Sequence, residues 1–348
     1  MSLNDGVLER ILLRIPTLTV GVLGDLFLDR YLDIDAALTE PSIETGLDAY
    51  QVVRVRNYPG AAGTVINNLV ALGVKGLNIV PISVAGDDGE WYDLSCALSD
   101  IGAYNAPQWI YTCEGRRTPT YTKPMLHRPG QPPRELNRLD IKNRTPLPGG
   151  TEGSLLTAVS KVLPTVDVLL VLDQVSEPEC GVVTTRVREA LAELGAASPD
   201  KLILADSRER IGLFRSVWTK PNIGECRRAV GAGDDAECVS RLAERVGRPV
   251  FCTRGAEGIL VADPRPGARA PLAAVPAYRV DGPIDVVGAG DSTSAGIACA
   301  LATGATLEEA ASFGNLVASI TVRQIGTTGT ATPEQVRQRW REVRAAGA

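Results

Sequence analysis

The chain has 348 residues, a formal net charge of −5 and a hydrophobic content of 44%, which is enough for a sizeable core and excludes wholesale disorder. The acidic balance gives no broad basic surface for nucleic acid, and no apolar run reaches the ~18–20 residues of a membrane span. The only histidine, His127, excludes zinc sites that need two histidines. No signal peptide is recognised, and seven scattered cysteines without a CxxC pair indicate free thiols, so we expect a cytoplasmic protein.

Short apolar runs alternate with helical stretches along most of the chain. Strands are predicted at LTVGVL (18–23), GLNIVPISV (76–84), VDVLLVLD (166–173), KLILAD (201–206), VFCT (250–253) and GILVAD (258–263). Helices are predicted at TVINNLVALG (64–73) and at CGVVTTRVREALAELG (180–195), the second closed by Gly195. This alternation predicts an α/β fold in which a mostly parallel sheet is covered by helices on both faces.

Three of the predicted strands end in or just before an acid, namely Asp25, Asp173 and Asp206. Open α/β sheets bind their ligands at the carboxyl ends of the strands, so these acids are candidate site residues.

Two stretches interrupt the alternation, at residues 33–60 and 104–143. Both look like β-type insertions, and we expect them to pair into a small sheet over the active face. No linker or internal repeat is visible. We therefore expect one domain over residues 1–348, with lid segments at approximately 31–58 and 104–140 inserted in it.

The sequence VGAGD occurs twice, and the first copy (230–234) has a structural explanation. GECRRAVG is typical of a helix ended by glycine, and Asp234 with Glu237 three residues later is typical of the start of the next helix. Acids in this first turn would repel a polyphosphate. We expect an ordinary joint between two helices here.

The second copy (287–291) lies among very small residues and has no glutamate in the turn that follows. Gly288 and Gly290 have no Cβ, so backbone N–H groups can approach an anion closely, and the helix N-terminus favours negative charge. Asp291 would lie beside a transferred phosphoryl group and could accept a proton from an attacking hydroxyl. Asp291, Gly288, Ala289 and Gly290 are the candidate catalytic residues, although the motif by itself also suits a structural turn.

Further motifs accompany the second copy. TKPNIGEC provides Asn222 and Glu225 as N-x-x-E, and CTRGAEGIL provides T-x-G-x-x-G. With GD near the start, the PGAAG turn and D-x-x-GAGD, the chain resembles the ribokinase (PfkB) family of sugar kinases from about residue 18 to 337. The resemblance implies a ribokinase-like fold with a small β lid, ATP and Mg²⁺ as cofactors, and a sugar or sugar phosphate as acceptor. It leaves open a monovalent cation near Asp285.

One branch of the family is the most similar. GDLFLDRY, EPSIETGLDAYQVVRVRNYPGAAG, TPTYTK, NRLD and RQIGTTGTATPEQV look like the kinase part of the bifunctional enzyme of ADP-heptose synthesis. That branch phosphorylates a heptose 7-phosphate at its anomeric hydroxyl and forms dimers through the lid. The HxGH motif of the partner nucleotidyltransferase domain is missing, so we expect a stand-alone kinase that forms a homodimer.

The resemblance assigns one group of residues to the nucleotide and to magnesium: Asn222, Glu225, Ser207, Arg208, Thr253, Arg254, Gly255, Gly258 and Asn315. Asn222 and Glu225 would organise Mg²⁺ mainly through water. Two alternatives stay open, since Glu225 could be a helix N-terminal acid and Asn315 a polar surface residue. Residues 325–327 resemble the wall beside the adenine.

A second group is assigned to the acceptor: Asp25, Asp29, Gly60, Ala61, Thr64, Lys123 and Arg138. Asp25 and Asp29 could hold sugar hydroxyls or be acids at a strand end. Lys123 and Arg138, with Arg116 and Arg117, could bind a phosphate already on the sugar or be solvated lid charges.

The chain departs from the family pattern on the acceptor side. Ala61 replaces a glycine and Thr64 replaces an asparagine in the turn, while Gln174 and Ser176 replace a tyrosine and a lysine. A hydroxyl cannot make the paired donor and acceptor contacts of an amide. We therefore expect a working kinase with an altered sugar. The alternatives are a kinase for a nucleoside or another small alcohol, and a catalytically idle sugar- or nucleotide-binding homologue.

Overall fold

The computed structural model describes residues 3–103, 108–267, 272–326 and 328–346. The strands are β1 (Val20–Gly24), β2 (Leu26–Asp35), β3 (Glu40–Pro41), β4 (Asp48–Ala49), β5 (Val52–Ala61), β6 (Ile79–Gly86), β7 (Ile110–Cys113), β8 (Thr120–His127), β9 (Arg134–Glu135), β10 (Leu139–Ile141), β11 (Val168–Asp173), β12 (Leu202–Ser207), β13 (Trp218–Thr219), β14 (Val250–Thr253), β15 (Ile259–Ala262) and β16 (Leu272–Val275). The α-helices are α1 (Asp5–Arg14), α2 (Ala62–Ala71), α3 (Gly89–Asp100), α4 (Gly149–Val162), α5 (Thr185–Ala197), α6 (Ile223–Val230), α7 (Asp235–Val246), α8 (Ala289–Ala302), α9 (Leu307–Thr321) and α10 (Pro333–Ala346).

The main sheet has the strand order β16-β15-β14-β13-β12-β11-β1-β6-β7. Pairing is parallel from β7 to β14 and antiparallel only for β15 and β16 at one edge. The predicted mostly parallel α/β sheet is confirmed. Because parallel strands end at the same edge, the segments after β1, β11, β12, β13 and β14 are brought together there.

Apolar side chains cover both faces of the main sheet. One cluster packs the sheet against α1, α2, α8, α9 and α10, and includes the fully buried Phe251 and Phe313. The other packs the opposite face against α4, α5, α6 and α7, and includes Leu155 and Phe214. Successive residues of β11 alternate between the two clusters, as side chains of a strand do. The result is three layers, with helices on both faces of the sheet.

The predicted β insertions form a second sheet, with the order β10-β8-β2-β5 and β9 paired to β8. We call this sheet the lid. Strand β2 pairs antiparallel with β5 and parallel with β8. The lid strands extend beyond the predicted segments, since β2 starts at Leu26 and β5 ends at Ala61. The prediction was wrong for β7, which pairs with β6 at the edge of the main sheet. Residues 104–107 of the second segment lie outside the described residues.

The predicted helix at 180–195 is displaced. Helix α5 begins at Thr185 and passes through Gly195 to Ala197, so Gly195 does not end it. A Cβ at Gly195 would lie 2.3 Å from the Ser216 carbonyl oxygen. The glycine is therefore explained by a close approach of two backbones rather than by a helix stop.

The first VGAGD copy is the helix joint that the sequence predicts. Gly231 ends α6 with φ 87°, and the Asp234 carboxylate accepts a hydrogen bond of 2.8 Å from the Glu237 N–H at the start of α7. Val239, Leu242, Ala243 and Val246 of α7 are buried and form its core-facing side.

Two features bear on cellular location. Within the described ranges, no helix combines the length and the hydropathy that crossing a bilayer requires. All seven cysteines are free thiols, and Cys96 alone among them is exposed. The cytoplasmic location stays a prediction.

Candidate active site

Asp291 is the third residue of α8, at the edge of the main sheet where the strands end. The residues that follow it in α8, from Ser292 to Ala300, are all buried, so this helix is fixed against the core. The small side chains of α8 permit close packing against α9; a Cβ at Gly296 would lie 3.2 Å from the Gly314 Cα. The start of α8 is thus held rigidly.

Three backbone N–H groups at the start of α8 make no hydrogen bond within the described residues, those of Gly288, Gly290 and Asp291. The predicted set included Ala289, but its N–H donates to the Val286 carbonyl at 3.1 Å in a turn. Gly288 has φ 77°, and a Cβ there would lie 2.4 Å from Thr328 Cγ2. Free N–H groups at a helix N-terminus form a site that favours an anion.

A buried lysine, Lys220, lies beside these amides and was not singled out from the sequence. Its Nζ is 2.9 Å from Asp206 Oδ2, and a Cβ at Gly290 would be 3.8 Å from the same Nζ. The side chain follows β13 directly and is 3% exposed. The carboxylates of Asp206, Glu225 and Asp291 all raise the pKa of Lys220 and keep it charged, against the effect of burial. The Lys220 ammonium therefore lies next to the free N–H groups at the start of α8.

The pKa of Asp291 is raised to about 7. Burial is the largest cause, and the negative charge of Asp206 adds to it, whereas Lys220 and Arg208 lower the pKa. Asp206 itself accepts a 3.0 Å hydrogen bond from the Ser294 hydroxyl and is paired with Lys220. A carboxylate with a pKa near 7 is suited to accept a proton at neutral pH.

Asn222 and Glu225 form a reciprocal capping box at the start of α6. Asn222 Oδ1 accepts from the Glu225 N–H at 2.9 Å, and Glu225 Oε2 accepts from the Asn222 N–H at 2.8 Å. The other oxygen of Glu225 makes no hydrogen bond within the described residues. Burial and the charge of Asp206 raise the pKa of this carboxyl. Glu225 is thus a helix N-terminal acid through its Oε2 atom, as the alternative interpretation predicted. Its other oxygen is free to contact a ligand or a hydrated metal ion.

The carboxylates near Glu225 determine how magnesium could be held. Among the described residues, no group of three or more Asp, Glu, His or Cys side chains is arranged to hold a metal. Magnesium retains several waters and often binds through one or two carboxylates and the substrate phosphates. The free oxygen of Glu225, with Asp206 nearby, fits such water-mediated binding.

The T-x-G-x-x-G segment lies next to N-x-x-E. The Thr253 N–H donates to the Pro221 carbonyl at 2.9 Å, and Thr253 pairs with Asn222 in an isolated bridge. Gly255 and Gly258 both have positive φ, and a Cβ at Gly258 would lie 2.1 Å from a backbone oxygen, whereas the Cβ position of Gly255 is open. Arg254, which was predicted to contact the nucleotide, forms an ion pair with Glu257 at 2.8 Å.

Ser207 and Arg208 have different environments. Ser207 is fully buried, and its hydroxyl donates to Asp173 Oδ2 at 2.6 Å. Arg208 is exposed, and its charge lowers the pKa of both Asp29 and Asp291. Of the two predicted phosphate contacts, only Arg208 is available to a ligand.

Asn315 is not the polar surface residue that the alternative interpretation predicted, nor is its amide group free. It is 8% exposed, and its amide donates to the carbonyl oxygens of Val275 (3.2 Å) and Pro276 (3.1 Å). The side chain therefore positions the segment after β16. In the predicted adenine wall, Ile325 is 57% exposed and Thr327 lies outside the described residues.

The Asp25 carboxylate is buried and bonded to the backbone. The residue is 4% exposed, and its carboxylate accepts hydrogen bonds from the N–H groups of Val182 (2.7 Å) and Gln174 (3.2 Å). Burial raises the pKa of Asp25 to about 6 despite these bonds. The geometry corresponds to the structural alternative, an acid at a strand end that fixes the segment after β11.

Asp29 belongs to lid strand β2 and lines a cavity beside the lid. Its Oδ2 is 3.6 Å from Lys123 Nζ, which also donates to the Tyr31 hydroxyl at 3.1 Å. Burial raises the pKa of Asp29, and the charge of Lys123 opposes this. Asp29 and other residues of lid strands β2 and β5, together with Thr64 of α2, line this cavity of about 220 Å³. Asp29 therefore lines a space that can hold a small molecule, and its carboxylate is paired with Lys123.

The PGAAGT turn connects β5 to α2. Gly60 lies against Asp29, since a Cβ there would be 3.0 Å from the Asp29 carboxyl carbon. Ala61 has φ 53° and ψ −117°, a conformation that favours glycine. Thr64 is 5% exposed, with its hydroxyl 3.4 Å from the Pro59 carbonyl oxygen. The substitution of alanine for the usual glycine has left the backbone in the glycine conformation.

Three further basic residues, which were predicted to bind a phosphate or to be solvated lid charges, make contacts within the chain. Arg116 is 8% exposed and donates to the carbonyls of Thr145 and Cys180. Arg117 pairs with Asp88 and Glu90, and Arg138 pairs with Asp140 at 2.6 Å. Arg116 therefore has a structural role, contrary to the predicted phosphate contact.

The sequence comparisons agree with this geometry. Residues 188–335 match the pfkB family of carbohydrate kinases. The bifunctional protein HldE of Trichlorobacter lovleyi is 30% identical over 337 residues, which is 95% of this chain and 64% of that protein. The chain is similar in sequence to the pfkB family of carbohydrate kinases. HldE of Pelobacter propionicus is 32% identical over 336 residues, again with 64% of its length covered. The chain thus spans less than two thirds of the length of these curated relatives.

Solved structures confirm the ribokinase-like fold. Arabidopsis thaliana ribokinase complexed with ribose and ATP has a TM-score of 0.64 at 15% identity, and the match covers 92% of this chain and 98% of that one. Escherichia coli phosphofructokinase-2 in complex with potassium has a TM-score of 0.67 at 18% identity, with 94% and 99% covered. At these identities, the likeness concerns the fold alone.

Proposed function

We propose that this protein is an ATP- and Mg²⁺-dependent kinase that transfers the γ-phosphoryl group of ATP to a hydroxyl of a sugar or sugar phosphate. The observation that carries the proposal is the combination at the start of α8: free backbone N–H groups, the ammonium of Lys220 and a carboxylate with a raised pKa. Such a site stabilises the charge that is spread over a migrating phosphoryl group.

In the proposed reaction, Asp291 accepts the proton of the acceptor hydroxyl as its oxygen bonds to the γ-phosphorus. The bond between that phosphorus and the β–γ bridging oxygen breaks, and ADP leaves. The N–H groups of Gly288, Gly290 and Asp291 donate to the phosphoryl oxygens, and Lys220 neutralises their charge. Glu225 and Asn222 would hold Mg²⁺, largely through water, and the ion would neutralise charge on the ATP phosphates. Arg208 and the open side of Gly255 would face the nucleotide.

We assign the acceptor to the cavity beneath the lid, with Asp29 holding hydroxyl groups. Heptose 7-phosphate is the acceptor suggested by the sequence resemblance. Lys123 is the basic residue that we assign to an acceptor phosphate, because its ammonium lies beside Asp29, whereas Arg116, Arg117 and Arg138 are engaged elsewhere.

We further propose a homodimer through the lid. Strand β5 is an edge of the lid sheet, and it exposes the apolar side chains of Val52, Val53 and Val55 by 44–58%. Exposed apolar edge strands are templates for pairing with another chain. A second copy would cover this edge.

The test is a measurement of ADP release with ATP, Mg²⁺ and one acceptor at a time, over ribose, fructose, their monophosphates and heptose 7-phosphate. We expect acceptor-dependent ADP release with at least one of them. Binding of a sugar or sugar phosphate without any turnover would instead indicate an idle binding protein and refute the proposal.

A further inference from the structure

The cavity beneath the lid is bounded by lid strands β2 and β5, by α2 and by the loop after α9. It reaches the anion site, because a Cβ at Gly288 would lie 2.4 Å from Thr328 Cγ2 and 3.8 Å from Thr64 Cγ2. Thr64 and Thr328 both line the cavity. The wall of the cavity therefore begins beside the proposed phosphoryl-transfer point and continues away from it.

Most of the charged and amide side chains in this wall are already engaged. The guanidinium of Arg56 makes two hydrogen bonds to Asp33, of 2.8 and 2.9 Å. The amide of Gln324 is used at both ends by the backbone of Thr330. Asp29 is paired with Lys123. These side chains line the cavity, but most of their polar atoms already make contacts within the protein and are not free to bind a ligand.

Asn67 is different. Its half-buried side chain lines the same cavity, and neither its carbonyl oxygen nor its NH₂ group makes a hydrogen bond within the described residues. A side-chain amide offers two donors and one acceptor oxygen, which can bind the donor and acceptor faces of sugar hydroxyls together. The neighbouring Asn68, by contrast, is fully buried and donates to the Thr64 carbonyl.

The position of Asn67 determines which part of a ligand it can reach. Residues 64 and 67 lie on one face of α2, about 4.5 Å apart along the helix axis. Thr64 is the one near Gly288, so Asn67 is one helical turn farther from the transfer point. Its amide can contact only the part of the acceptor that extends away from the reacting hydroxyl.

We propose that Asn67 is a specificity-determining residue, which binds hydroxyl groups on the part of the acceptor remote from the transferred phosphoryl group. This inference rests on the proposed kinase function and deepens it. The Thr64 hydroxyl lies 3.4 Å from the Pro59 carbonyl oxygen and its Cγ2 methyl lies toward Gly288, whereas the free amide of Asn67 lies one turn later on the same helix face. The cavity thus selects acceptors that carry hydroxyl groups at that distance.

The experiment compares Asn67→Ala with the unmodified protein on whichever of ribose, fructose, their monophosphates and heptose 7-phosphate has the highest kcat/KM. We expect the acceptor KM to rise roughly 10-fold, as for the loss of ground-state hydrogen bonds, with kcat within about twofold and the KM for ATP unchanged. Asn67→Gln, which keeps the amide, should recover part of the loss. Asn78→Ala, before β6 at the opposite edge of the sheet, is the matched control and should change nothing.

Melting temperatures of all variants separate a binding effect from a folding effect. An unchanged acceptor KM in Asn67→Ala would overturn the inference, and so would equal rises in the KM values for acceptor and ATP. Absence of acceptor-dependent ADP release from the unmodified protein would instead refute the proposed function, and the inference would fall with it.

Discussion

Replacing Asp291 by asparagine should stabilise the ligand-free protein, and more so as the pH rises. The folded-state pKa of this carboxyl is raised to about 7, chiefly by burial, while an unfolded chain ionises it near 3.9. Between these values, the unfolded chain releases a proton that the folded protein retains. The free energy of unfolding therefore falls with rising pH, and the ionised group costs up to ~4 kcal/mol at pH 8.

The asparagine side chain has a similar shape and no charge, so it removes this cost. We expect the stability advantage of Asp291→Asn to be about 2–3 kcal/mol larger at pH 8 than at pH 5, lessened somewhat because Lys220 loses a neighbouring negative charge. Urea denaturation of both proteins at the two pH values measures it. Asp281→Asn, at a side chain 77% exposed, is the control and should show no such trend. An advantage that is absent, or that does not grow with pH, would refute the burial argument for Asp291.

Three further changes test other parts of the structure. Lys220→Met should lower kcat by ~100-fold or more and move the rise of activity with pH upward, because Lys220 lowers the pKa of Asp291; a pH–rate profile at the original midpoint would contradict this. Ala61→Gly should raise the free energy of unfolding by about 1 kcal/mol by relieving the positive φ, whereas Ala62→Gly, at a buried helical position, should lower it; equal losses in urea denaturation would show that Ala61 is not strained. Sedimentation should give twice the chain mass of 36.9 kDa, and Val53→Arg on the exposed lid edge should give a single chain; a monomeric unmodified protein would exclude the lid dimer.

Much of the fold follows from local sequence patterns. Buried parallel strands need short apolar runs, and the prediction for β14 coincides with the observed Val250–Thr253. Patterns of this kind do not report which sheet a strand joins, so β7 was assigned to the lid although it pairs with β6. Gly195 shows the same limit, because the backbone that it approaches is 21 residues away in the chain, at Ser216.

The candidate site was predictable where a motif identifies a backbone conformation and less so where a side chain's partners are distant. The motif predicted free backbone N–H groups at its glycines, and Gly288 takes a positive φ that glycine adopts without strain. Asp25 was assigned to the acceptor, but the N–H groups that enclose it come from residues 149 and 157 positions later. Lys220 stands in the quoted TKPN segment, yet only the folded sheet brings it under α8. Asn67 belongs to none of the sequence motifs, and only its position in the cavity wall indicates that it could contact a ligand.

The most direct test of the proposed chemistry is acceptor-dependent ADP release by Asp291→Asn, measured beside its affinity for ATP. The account predicts that ATP binds nearly as tightly as to the unmodified protein while turnover falls by several orders of magnitude, since the amide cannot take the proton of the acceptor hydroxyl. Turnover within tenfold of the unmodified protein, with ATP binding intact, would show that Asp291 is not the base.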